Sequence, residues 1–152
     1  MSAKHPYNIQ WLSDLEIPLA NKFYRKHGFR GKAKRHESCA VVKDNDKQII
    51  ACAYLRDYKD FKLLSGVAVD SVVQRQGVAR LLLEFMTQRF DQLTYTFPYE
   101  HLIPYYTSLG FQVVSIEQVE TSVNELYNSY VKQGRLIELM QYSSELNELT
   151  FC

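Results

Sequence analysis

VVQRQGVARLLLEFM (residues 72–86) places a short polar break, Gln74 to Gly77, directly before a strongly apolar run. Val78, Leu81, Leu82, Phe85, Met86 and Arg89 recur at the spacing of one helix face, so the pattern predicts a helix over 76–90. The first N–H groups of a helix lack partners within it and carry partial positive charge. Anions bind there, most readily when a glycine lets the backbone come close. Gly77 has no side chain and Ala79 a small one; Arg75 and Arg80 add charge, and Gln74 and Gln76 can donate through their amides. The backbone from Gln74 through Val78 to Ala79 thus suits a pyrophosphate. Two familiar phosphate loops are excluded. The chain has no Gly-x-x-x-x-Gly-Lys, and no Gly-x-Gly-x-x-Gly follows its first strand.

Outward from this stretch, the chain reads as short elements with short connections. Residues 7–12 form a first strand. Ser13 to Glu16 has the form of a capping box, and a helix follows from near Pro18 to His27, ending at Gly28. Residues 38–43 and 48–56 are strands joined by the turn Asp44 to Lys47, and 61–70 is a third strand. Ser65-Gly66 interrupts it and marks a bulge or a close backbone approach. After the 76–90 helix come a strand at 93–98, a short helix at 99–109 closed by Gly110, and a strand at 111–116. Ser122 to Glu125 is a second capping box opening a helix that Gly134 ends, and 136–142 is a last strand. The tail from Ser143 is ambiguous. An antiparallel run followed by strand–helix–strand units implies a mixed sheet with helices on it.

VAVDSVVQRQGVARLLLEFM (residues 67–86) resembles motif A of the GNAT superfamily of acyl-CoA N-acyltransferases. That pattern is a strand, a short loop and Gln/Arg-x-x-Gly-x-Gly/Ala opening a helix, matched by Gln74-Arg75-Gln76-Gly77-Val78-Ala79. PYYTSLGFQVV (residues 104–114) is similar to the family's second motif, with Tyr105, Tyr106, Gly110 and Phe111 in place. Strong resemblance runs from about Phe61 to Ile116. Tyr99 stands where the family often has Asn, and Leu102 where Ala is common.

The resemblance implies an α/β (α+β) GNAT fold: a central, mixed, mostly antiparallel sheet of six to seven strands, with helices on both faces. A splayed parallel strand pair would hold the cofactor, in a single domain spanning 1–152. It implies an N-acetyltransferase that moves an acetyl group from acetyl-CoA to a primary amine of a small molecule, protein or peptide. The amine would attack directly in a ternary complex. Val67, Ala68 and Val69 would pair with the pantetheine arm, and the same edge would offer N–H groups to the thioester oxygen. Residues 74–79, with Arg80, would seat the pyrophosphate. Tyr106 matches the tyrosine that gives a proton to the leaving thiolate; a phenol of pKa about 10 is protonated at neutral pH. The general base is left open among Glu100, His101, Asp57, His36 and Glu37.

Composition narrows the alternatives. With 152 residues, 46% hydrophobic and 23% charged, the chain is of ordinary globular make-up. No apolar run approaches the ~20 residues that span a bilayer, and with a short polar start from Met1 to Pro6 no signal peptide is expected. A cytoplasmic protein is expected, with no membrane partner. Cys39, Cys52 and Cys152 match no zinc or redox spacing; two read as core residues and the last as an exposed thiol. No metal is expected, and a homodimer is compatible with the sequence.

From Lys22 to His36 the chain reads KFYRKHGFRGKAKRH, with Lys22, Arg25, Lys26, Arg30, Lys32, Lys34 and Arg35 and no acid. It either attracts an anionic acceptor or the CoA 3′-phosphate region, or is a solvated surface. Two rival functions stand beside the enzyme: a non-catalytic acyl-CoA sensor, and a nucleic-acid-associated protein using residues 22–36. The net charge of +1 argues against nucleic acid.

Overall fold

Regular elements form where the hydrophobic period changes along the chain. The computed structural model describes residues 7–143. Its elements are β1 (Asn8–Trp11), α1 (Ile17–Lys26), β2 (Ser38–Lys43), β3 (Ile49–Asp57), β4 (Lys62–Val69), α2 (Val78–Met86), β5 (Thr94–Thr96), α3 (Ile103–Ser108), β6 (Phe111–Val113), α4 (Thr121–Lys132) and β7 (Met140–Tyr142). This is the order that the sequence predicts. The strands form one sheet in the order β1-β2-β3-β4-β5-β7-β6. Its β4–β5 pair is parallel, whereas β1–β2, β2–β3, β5–β7 and β6–β7 are antiparallel.

By packing, the described residues fall into two compact units, 7–56 with 65–88, and 57–64 with 89–143. In the first, β2 is buried on both faces, as its run of Cys39, Ala40, Val41 and Val42 requires. Cys39 and Val41 join Ile17, Ala20, Phe23 and Tyr24 of α1 in one core cluster. Ala40 and Val42 point to the other face, and α2 contacts β1 and β2; Trp11 meets Phe85 of α2 with ring centroids 5.3 Å apart. The β2–β3 turn is held by Asp44, whose Oδ1 accepts from the N–H groups of Asp46 and Gln48 at 2.9 and 3.0 Å. In the second unit, Phe61, Leu63, Tyr95 and Leu139 pack with Val123 of α4, and Phe90, Phe111 and Tyr142 form a mutual edge-on triad.

Several boundaries differ from expectation. Gly77 has φ +77°, outside helical geometry, so α2 begins at Val78 and not at Gln76. It gives way to a 3-10 turn at Thr87–Arg89, which leaves Arg89 exposed and off the buried stripe. The capping box expected at Ser122 does not form. Helix α4 starts one residue earlier, at Thr121, and the Ser122 hydroxyl is buried inside it with no partner among the described residues. The same pattern forms instead at Ser115, whose N–H donates to Gln118 Oε1 at 2.9 Å. That box opens a 3-10 turn at Ile116–Gln118 and so ends β6 at Val113. The last strand keeps only Met140–Tyr142, with Ile137 bridging singly to Tyr99. Cys152 and most of the ambiguous tail lie outside the described residues.

Candidate active site

The second half of β4 is shaped by Gly66. Its φ is +63°, and a Cβ there would lie 2.3 Å from the Tyr54 ring and 2.8 Å from the Tyr24 hydroxyl. Both the conformation and the space therefore demand glycine. Tyr24 Oη donates to the Gly66 carbonyl at 2.6 Å, and burial pushes its pKa up, so the donor proton is retained. The rings of Tyr24 and Tyr54 meet edge-on at 6.0 Å. Of the three residues assigned to the cofactor arm, Ala68 is buried in the α1 cluster, whereas Val67 and Val69 are half-buried.

Asp70 ends β4. Its N–H donates to Ile50 O at 2.8 Å and its Oδ1 accepts from Val72 N at 3.1 Å, which winds Ser71–Val73 into a 3-10 turn. The chain then runs through Gln74 to Gly77, all exposed. Arg75 at φ +68° and Gly77 at φ +77° are both left-handed, the backbone form from which anion-binding nests are made. A Cβ at Gly77 would meet nothing within 4 Å, so the ground above the turn is open. No side chain caps α2. Its first intrahelical bond, Leu81 N to Gly77 O, is 3.1 Å long, so the N–H groups of Val78, Ala79 and Arg80 have no helical acceptor. Val78 is buried and contributes only that N–H.

Thus Gln74 through Arg80 follow one another through an exposed turn, 74–77, into the half-buried start of α2, but two side chains are engaged elsewhere. Gln74 Nε2 donates back to Val69 O at 3.2 Å, and Arg80 Nε pairs with Glu84 at 2.6 Å. Gln76 accepts from Tyr7 Oη at 3.2 Å, which leaves its amide nitrogen to donate outward. Tyr7 and Asp70 are site-shaping residues that the sequence reading missed. Asp70 carried a signal, an acid directly before Ser at a strand end, where Asx turns form.

In the second unit, Tyr106 lies on α3, which Gly110 at φ +110° terminates. Its ring is buried between Tyr105 and Phe111, edge-on to both. Burial, then the neighbouring Tyr105, pushes the phenol pKa well above its ordinary value. The group is held in its neutral, proton-bearing form. Of the base candidates, Glu100 and His101 are exposed and line a groove of about 1040 Å³ with Tyr99, Tyr127 and Arg135. Tyr99 and His101 stack in parallel at 6.2 Å. Asp57 is exposed at the end of β3. His36 pairs with Asp14. Glu37 is buried and bound by Arg56 Nε at 2.9 Å and Nη2 at 3.1 Å, a structural tie that removes it as a base. Cys39 and Cys52 are fully buried free thiols with sulfurs 3.6 Å apart, as core residues should be. Among the described residues, no His, Cys, Asp and Glu cluster could hold a metal ion, and no helix is long and apolar enough to cross a membrane.

Residues 35–113, just over half of the chain, match the family model of the GNAT acetyltransferase domain. The chain belongs to this family. The matched span contains both the Gln74–Ala79 turn and Tyr106. Solved structures share the GNAT fold. N-acetylglutamate synthase of Neisseria gonorrhoeae, solved with coenzyme A and N-acetyl-glutamate, aligns at TM-score 0.63 and 15% identity over 91% of this chain and 35% of that one. This GNAT chain therefore spans about a third of that synthase. The protein Rv2747 of Mycobacterium tuberculosis, in complex with CoA and NLQ, gives 0.63 and 15% over 90% and 99%. The ribosomal-protein-S18-alanine N-acetyltransferase of Escherichia coli gives 0.56 and 24% over 72% and 79%. No curated protein matches the sequence.

Proposed function

We propose that this GNAT protein transfers an acetyl group from acetyl-CoA to a primary amine, by direct attack within a ternary complex. The observation that carries this reading is the open, uncapped N-terminus of α2, preceded by left-handed Arg75 and Gly77. Such a turn offers several unpaired N–H groups and Arg75 to a pyrophosphate. The pantetheine arm is assigned to the Val67–Val69 stretch, which follows left-handed Gly66, whose carbonyl accepts from Tyr24. N–H groups of that stretch would stabilise charge on the thioester oxygen. Coenzyme A supplies the activated acyl group. Tyr106, kept neutral by burial, gives its proton to the departing thiolate. In this reading residues 1–152 make up a single acetyltransferase domain.

The amine belongs to a small molecule, a protein or a peptide. The coenzyme A-bound neighbours support the cofactor: the Neisseria enzyme was solved with coenzyme A and the mycobacterial protein with CoA. An acceptor screen with acetyl-CoA, detecting released thiol, tests the proposal. Thiol release that depends on an added amine and falls in Tyr106→Phe supports it. Binding of CoA with no turnover on any amine would point to an acyl-CoA sensor instead.

A further inference from the structure

The segment between Lys22 and Arg35 carries seven lysine and arginine residues, no acid, and every one of the seven is exposed. Carboxylates do touch the segment and its flanks, but other groups take them. Asp14 pairs with His36, Glu37 with Arg56, and Asp70 with His27 at 4.0 Å. Among the described residues, no ion pair uses one of the seven cations. Among the described residues their charge is uncompensated, although the whole chain carries only +1.

The backbone beneath these charges is fixed. Asn21 grips Ala33 at both ends, donating to its carbonyl at 3.0 Å and accepting from its N–H at 2.8 Å. Glu37 accepts from Lys34 N at 2.7 Å, and Arg56 Nη2 reaches Lys32 O. Lys32 N donates to Tyr54 Oη at 3.2 Å, and a Cβ at Gly31 would lie 2.7 Å from the Tyr24 ring. A partly buried ion pair is a poor stabilising device. Here it holds the peptide groups that present Lys32 and Lys34. A merely solvated charge run needs no such scaffold, since like charges gain by spreading apart. Tyr24 and Tyr54 are also the residues that pack on Gly66, so the fixed segment abuts that glycine of β4.

We propose that residues 22–35 form a preorganised docking surface for an acidic peptide segment of the acceptor. That this peptide carries the acetylated amine rests on the acyl-transfer reading above; the docking itself does not. Lys22, Arg25 and Lys26 recur at helical spacing on α1 and continue into the loop cations, a spread that matches several carboxylates rather than one. Nucleic acid fits less well. The rings in the segment are buried (Phe23, Tyr24) or half-buried (Phe29), so none is left open to stack a base.

Fluorescence anisotropy of a labelled peptide with six glutamates, against its six-glutamine analogue, tests this on the full chain saturated with CoA. The acidic peptide should bind at least tenfold tighter at low salt. The preference should vanish in Lys32→Glu/Lys34→Glu/Arg35→Glu, and in a second variant, Lys22→Glu/Arg25→Glu/Lys26→Glu. It should persist in Lys132→Glu. Equal binding of the two peptides would overturn the proposal, as would tighter binding of a single-stranded oligonucleotide of equal charge. A loss of CoA affinity in the first variant, matching its loss of peptide binding, would reassign the charges to the cofactor and also overturn it. Absence of CoA binding by the unaltered protein would remove the acyl-transfer reading alone.

Discussion

Tyr106, the proposed general acid, shows how packing sets the protonation of a side chain. Its ring is held by Tyr105 and Phe111, so Tyr106→Phe removes one oxygen and little else. We expect kcat to fall by ~10²–10⁴ with CoA affinity unchanged, the usual range for loss of a general acid. The raised phenol pKa also has a sign. An acid whose pKa is raised keeps its proton past its ordinary range, so wild-type kcat should show no decline with an apparent pKa near 10. A pH–rate profile that fell there, and ceased to fall in Tyr106→Phe, would show the phenol titrating in its ordinary range and contradict the raised pKa. Gly66 makes a parallel point about backbone. Gly66→Ala combines a left-handed alanine with a collision against Tyr54 and should cost about 2–4 kcal/mol. Gly28→Ala, at a similar φ but in open space, should cost only about 1 kcal/mol. Urea unfolding of both variants separates conformational strain from steric clash.

Among the elements, α2 and its turn were readable because the signal is local: a glycine, polar neighbours and a helical apolar period. What could not be read was where Gln74 and Arg80 would turn. Val69 O and Glu84 compete for them, and that competition depends on the path of the folded chain. The capping boxes teach the same lesson. Ser115 to Gln118 and Ser122 to Glu125 carry equivalent patterns, and only the first forms, because the chain already turns into α4 at Thr121. The loop at 29–37 looked irregular from its composition, yet Asn21 and Glu37 hold it through hydrogen bonds that span 3 to 12 residues. Asn21→Ala leaves both polar groups of buried Ala33 without that partner and should cost about 1–3 kcal/mol. Amide exchange should quicken across 31–35 and stay unchanged in β2 and β3; uniform acceleration would show that Asn21 supports the core instead.

At the level of the whole molecule, the order of strands and helices followed from hydrophobic period and punctuation, and the two family motifs lie within the matched span, 35–113. Sheet order and the parallel pair did not follow from period alone, since pairing is a long-range choice; the resemblance implied the parallel pair, and the strand order comes from the structure. Net charge hid a local fact, the fixed cationic segment, most of which lies outside the matched span. The central claim is that the α2 turn seats coenzyme A for acyl transfer. Isothermal titration of CoA into the full chain tests it most directly. The account predicts saturable binding of one CoA per chain at micromolar concentration, weakened at least tenfold by Gly77→Val and unchanged by Tyr106→Phe. No binding heat at several hundred micromolar CoA, or equal affinity in Gly77→Val, would contradict it.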